Sequence, residues 1–75
     1  MKTNSERAAR YRELLENIDS TRLAWVMACA DLYMAEDSRK DSLAQLEKET
    51  RIAMESAKQD YQYFLIEDRK QNQNQ

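Results

Sequence analysis

Apolar side chains recur at alternating spacings of three and four from early in the chain. Ala8, Tyr11, Leu15, Ile18, Trp25, Cys29 and Leu32 fall on one helical row, interrupted only at Arg22. A row of this kind, sustained over about four heptads, marks a helix packed along a seam. Leu14, Ala28 and Ala35 widen the row on one flank. Thr3, Asn4 and Ser5 are all N-cap residue types. Asn4 or Ser5 is the expected cap, because Glu6 then lies in the first turn, where negative charge is favoured. The pattern predicts a first helix from about Ser5 to about Ala35.

Within that helix, Leu23–Ala35 reads Leu-Ala-Trp-Val-Met-Ala-Cys-Ala-Asp-Leu-Tyr-Met-Ala, with Asp31 its only charge. A helix through this stretch is apolar on nearly every side, and one partner helix covers only one stripe of it. The weak point of the first helix is Asn17-Ile18-Asp19-Ser20-Thr21, whose side chains compete with the backbone for hydrogen bonds. A break near Asp19–Thr21 would give a three-helix arrangement. The seam keeps its phase through the segment, which favours a continuous helix.

The polar segment Glu36-Asp37-Ser38-Arg39-Lys40-Asp41-Ser42 separates the two apolar rows. A turn is expected between about Glu36 and Asp41, with Asp37 or Ser38 capping the next helix. The heptad phase also runs through Glu36 and Arg39 to Leu43, so one very long helix is the alternative. The second helix is expected from about Arg39 to about Lys70. Its row in phase with the first is Leu43, Leu46, Thr50, Ala53, Ala57, Asp60 and Phe64. Folding about a turn centred between Asp37 and Ser38 opposes Leu32 with Leu43, Cys29 with Leu46 and Trp25 with Thr50. It likewise opposes Ile18 with Ala57 and Tyr11 with Phe64. Large meets small through the middle, as facing layers require. Ile52, Met54, Tyr61 and Leu65 fall outside that narrow row. The tail Gln71-Asn72-Gln73-Asn74-Gln75 is polar and expected to fray.

Composition sharpens this picture. The 75 residues include no Gly and no Pro, which removes the usual punctuation of strands and hairpins. The fold class is therefore all-α, an antiparallel two-helix hairpin. Chains this short build marginal cores, and the apolar surface exceeds what one seam covers. Pairing of two hairpins into a four-helix bundle homodimer is the expected remedy, or docking on a larger protein. No apolar run follows Met1-Lys2, so no signal peptide is expected. The 13-residue apolar stretch is too short to span a bilayer. The single cysteine forms no internal disulfide, and a cytoplasmic location and no membrane partner are expected.

Candidate chemistry is sparse. No histidine is present, which removes the commonest general base and metal ligand. Without Gly there is no phosphate-binding loop. Carboxylate pairs such as Asp37/Asp41 and Glu13/Glu16 read as solvated faces. No catalytic, cofactor-binding or metal-binding residues are assigned, and an enzyme is not expected. The interface candidates are Arg22, Trp25, Val26, Met27, Cys29, Tyr33 and Met34, with Trp and Tyr as anchors and Met as adaptable contact. Arg22 either fixes register inside the seam or lays its stem along it with its head near Asp19. Lys2, Arg7, Arg10 and Arg12 meet Arg69 and Lys70 at the open end of a hairpin, where phosphates of a nucleic acid are the alternative partner. Net charge is −2, which gives no global pull toward nucleic acid. The expected function is a small helical interaction protein, a regulator, adaptor or inhibitor. Chains of this kind are familiar among bacterial and phage regulators. The alternative is a homodimeric nucleic-acid-binding regulator.

Overall fold

A computed structural model of the chain describes residues 3–73. Helix α1 spans Asn4–Tyr33, a 3-10 turn spans Asp37–Arg39, and helix α2 spans Lys40–Gln73. The two helices pack against each other antiparallel, and no strand occurs among the described residues. The hairpin measures 58 × 17 × 12 Å, with a radius of gyration of 17.1 Å. A globular domain of this length would have a radius near 11 Å. The core is therefore a single line of side chains between two rods.

Helix α1 starts one residue earlier than expected. Thr3, not Asn4 or Ser5, is its N-cap, and the Glu6 backbone N–H donates to Thr3 Oγ1 at 3.1 Å. The Thr-x-x-Glu spacing is that of a capping box. The helix is continuous through Asn17–Thr21, which removes the three-helix alternative. Thr21 Oγ1 donates back to the Asn17 carbonyl at 2.7 Å, and Ser20 Oγ donates to the same oxygen at 3.3 Å. The competing hydroxyls thus satisfy themselves on carbonyls one turn back without opening the helix.

The turn lies where the polar segment placed it, which also removes the single long helix. Helix α1 closes without a left-handed residue, consistent with the absence of Gly. Met34 N–H still reaches the Ala30 carbonyl at 3.1 Å, and Ala35 N–H tightens onto the Leu32 carbonyl at 3.2 Å. Glu36, rather than Asp37 or Ser38, precedes the 3-10 turn, and it makes no side-chain cap. Helix α2 continues past Lys70 to Gln73, so the helix takes in part of the tail expected to fray. Asn74 and Gln75 lie outside the described residues.

The seam departs from the expected row at two positions on α1 and three on α2, while Leu15 and Cys29 of that row stay half-buried beside the deeper Leu14 and Ala28. Buried or half-buried positions from α1 to the turn are Arg7, Leu14, Leu15, Ile18, Thr21, Trp25, Ala28, Cys29, Leu32 and Ala35. Those on α2 are Leu43, Glu47, Thr50, Met54, Ala57, Tyr61, Phe64 and Asp68, with Glu67 half-buried beside the last. Ala8 and Arg22 are therefore outside, and Arg7 and Thr21 take their places. On α2, Glu47, Met54 and Tyr61 replace Leu46, Ala53 and Asp60. Leu14, Ala28, Met54 and Ala57 are the most buried residues, at 2–5% exposure. The expected pairing of Tyr11 with Phe64 is present, with ring centroids 6.5 Å apart.

Candidate functional site

Helix α1 carries apolar residues on two opposite sides. Its inner side holds Trp25, Ala28, Leu32 and Ala35 against α2. Its outer side holds Leu23, Val26, Met27, Ala30, Tyr33 and Met34, all exposed. Tyr33 is 88% and Met34 78% exposed, more than any other large apolar residue described. Leu23, Met27, Ala30 and Met34 follow the three-four spacing of one helical stripe, with Val26 and Tyr33 beside it. The stripe lies on the side of α1 facing away from α2, so the hairpin's own fold leaves it uncovered. Single exposed apolar residues are ordinary on a protein surface; here six lie together on one side of the helix.

The interface candidates divide accordingly. Val26, Met27, Tyr33 and Met34 are brought together on this outer face. Trp25 and Cys29 are half-buried instead. Arg22 is exposed, its guanidinium 3.7 Å from Asp19, so it neither breaks nor fixes the seam. Leu23 and Ala30 belong to the face but were not among the named candidates; their three-four spacing with Met27 and Met34 is the signal that finds them.

Trp25 is tied to the seam by a polar contact. Its indole N–H donates to Glu47 Oε2 at 2.8 Å, and Arg51 Nε lies 3.5 Å from the same oxygen. Ala28, almost fully buried, is the small residue that the register sets opposite Glu47. A carboxylate in a seam is legible only through its partner, because by periodicity alone Glu47 reads as surface.

At the open end, Arg7 and Asp68 form a bidentate pair, Nε to Oδ1 at 2.7 Å and Nη2 to Oδ2 at 2.8 Å. The hydrogen bonds to Asp68 raise the Arg7 pKa above the usual guanidinium value. Arg10 pairs with Glu13 at 3.0 Å, and Lys70 with Glu67 at 3.8 Å. Arg12 and Arg69 are exposed. The basic candidates therefore do arrive at one end, interleaved with carboxylates; Lys2 lies outside the described residues.

Beside this pair, Tyr11 and Tyr61 hydroxyls meet at 3.4 Å, with ring centroids 5.8 Å apart. The hydrogen bond to Tyr11 raises the Tyr61 pKa above its ordinary 10.0, with loss of solvation adding in the same direction. The folded chain holds this proton more tightly than the unfolded chain does. Stability from the contact is therefore full below pH 10.0 and falls as pH rises through the raised value. In an absorbance titration of tyrosinate, the Tyr61 step is expected above the ordinary phenol range. Tyr11→Phe should return that step to the ordinary range; an unchanged titration would contradict the geometry.

The Glu13 and Glu16 carboxylates line a shallow groove with Arg10, Asn17 and Asp60. No group of three or more His, Cys, Asp or Glu suited to a metal ion occurs among the described residues. No described helix is long and apolar enough to cross a membrane. No protein-family model matches the chain, and comparisons with curated proteins and with solved structures find no match either.

Proposed function

We propose that this chain is a small non-enzymatic helical interaction protein, a regulator, adaptor or inhibitor, whose working surface is the outer face of α1. The observation that carries the reading is the contiguous exposed set Leu23, Val26, Met27, Ala30, Tyr33 and Met34 on the side away from α2. Its chemistry suits another polypeptide. Aromatic and Met side chains are enriched at interface cores, and charge is depleted there. Nucleic acid is the weaker reading, because Arg7, Arg10 and Lys70 each sit against a carboxylate of this chain.

Site-specific photocrosslinking in the source cell tests the proposal. A benzophenone side chain at Met27 is expected to capture a discrete protein adduct. The same group at Gln59, an exposed position on the outer side of α2, is expected to capture little. No adduct at Met27, or equal adducts at both positions, would overturn the assignment of the face.

A further inference from the structure

We infer that copies of this chain stack broad face on broad face, the basic face of one against the acidic face of the next. The inference is independent of the reading of α1's outer side. The stripe through Leu23 and Ala30 points along the plane of the hairpin and stays uncovered in such a stack.

The hairpin is a flat ribbon, 58 × 17 × 12 Å, and its seam leaves two broad faces. Helical phase relative to the seam assigns each remaining side chain to a face. Arg12, Arg22, Lys48, Arg51, Lys58 and Arg69 all fall on one of them, each exposed. The carboxylates among them are Asp19, Asp41 and Glu55, so six cations against three carboxylates leave +3. Glu6, Glu13, Asp31, Glu49, Asp60 and Glu67 fall on the other face. The cations there are Arg10 and Lys70, so six carboxylates against two cations leave −4. The grooves agree with this grouping. Arg10, Glu13 and Asp60 line one shallow groove, and Arg10, Asp60 and Glu67 line the next. The net charge of −2 conceals the separation.

This separation selects both the occupant and the arrangement. A two-fold dimer through either face sets that face against itself, like charge on like. A copy translated along the normal to the ribbon sets basic on acidic instead. The heights match as well. Arg12 precedes Glu13 and Lys48 precedes Glu49, while Lys58 lies two residues from Asp60 and Arg69 two from Glu67. Two residues rise about 3 Å along a helix, so each cation meets a carboxylate of the next copy at nearly its own height. Arg22 and Lys58 lie 3.7 and 3.8 Å from carboxylates of their own chain, beyond hydrogen-bond range, which leaves their donors for a neighbour. Nucleic acid on the basic face is the weaker reading, because three carboxylates stand among its cations and the chain as a whole is negative. A face-to-back contact of this kind does not close, so the stack is open.

Sedimentation equilibrium on the purified full chain tests the inference at low ionic strength, about 0.01 M, and at about 0.5 M, where exposed charges are screened. At low salt the wild-type mass is expected to rise with concentration past twice the 8.9 kDa chain mass, without a plateau there. At high salt it is expected to return to the single-chain mass. A variant carrying Arg12→Glu, Glu13→Arg, Lys48→Glu and Glu49→Lys exchanges neighbours across the ribbon. Its net charge and charged-residue count match wild type, and all four positions are exposed. It is expected to keep its helicity by circular dichroism and to stay at the single-chain mass at low salt. The single variant Lys58→Glu is expected to associate more weakly than wild type. A wild type that is monomeric at low salt, or that levels off at a dimer, overturns the stack. So does a four-site variant that associates like wild type. Retention of a single-stranded DNA oligonucleotide by a wild type that does not self-associate would give the basic face to nucleic acid instead. None of these results bears on the Met27 crosslink, so the two readings fail separately.

Discussion

Leu14→Ala is expected to unfold most of the chain near room temperature. Leu14 is one of four apolar side chains the hairpin buries almost completely. Truncating a buried leucine costs about 2–5 kcal/mol, depending on how far the site collapses. A core in a chain below about 70–80 residues supplies roughly 3–5 kcal/mol in all. The loss is therefore comparable to the whole stability. The hairpin has little means of collapsing around the gap, because its core is one line of residues with no second layer behind it. Leu23→Ala is the matched control. Leu23 is 61% exposed on the outer face, and the same truncation there should cost no more than about 0.5 kcal/mol at concentrations where the chain is monomeric. Urea melts followed by circular dichroism distinguish the two. Equal midpoints for the two variants would mean that the inner and outer sides of α1 have been interchanged.

The hairpin itself was legible because its local signals agree. With Gly and Pro absent, the single polar segment between two apolar rows is the one place for a turn, and the 3-10 turn at Asp37–Arg39 lies there. The antiparallel register was legible too, since Tyr11 does meet Phe64. The phase of the seam was not. Around Leu23–Ala35 the helix is apolar on both sides, so periodicity does not distinguish the row through Thr21 and Ala28 from the row through Arg22 and Cys29. Five seam positions are moreover polar or charged: Arg7, Thr21, Glu47, Asp68 and Thr50, whose hydroxyl donates back to the Leu46 carbonyl at 2.9 Å. Each has a partner that periodicity does not see. Arg7 and Asp68 take each other, Glu47 takes the Trp25 N–H, and Thr21 donates back to Asn17. Counting opposite charges along the antiparallel register, Arg7 against Asp68, would have corrected the phase.

The outer face was legible as a stretch and not as a side. Composition shows that Leu23–Ala35 exceeds what one partner helix covers. Which residues remain outside depends on the phase, and the phase depends on the polar pairs just described. Trp25 was grouped with Val26 and Met27 for this reason, although it points the other way and anchors the seam.

Trp25→Ala is accordingly expected to act on folding rather than on association. Trp→Ala in a core costs about 3–5 kcal/mol, and the half-buried position of Trp25 sets the expectation at the lower end, about 3 kcal/mol. Two contributions are separable. The indole is half-buried in the seam, and its N–H is a hydrogen-bond donor to the Glu47 carboxylate. Trp25→Phe keeps most of the ring and removes the donor. It should cost about 1–2 kcal/mol, because a hydrogen bond to a charged group contributes roughly 1.5–3 kcal/mol and this one is only partly shielded from water. Glu47→Gln keeps an acceptor for the indole and should cost less than Trp25→Phe. Chemical denaturation of the three variants measures the order directly. Equal loss in Trp25→Phe and Trp25→Ala would show that the ring packs against nothing. A Trp25→Ala variant that folds like wild type and fails only to associate would place Trp25 on the outer face, contrary to its contact with Glu47.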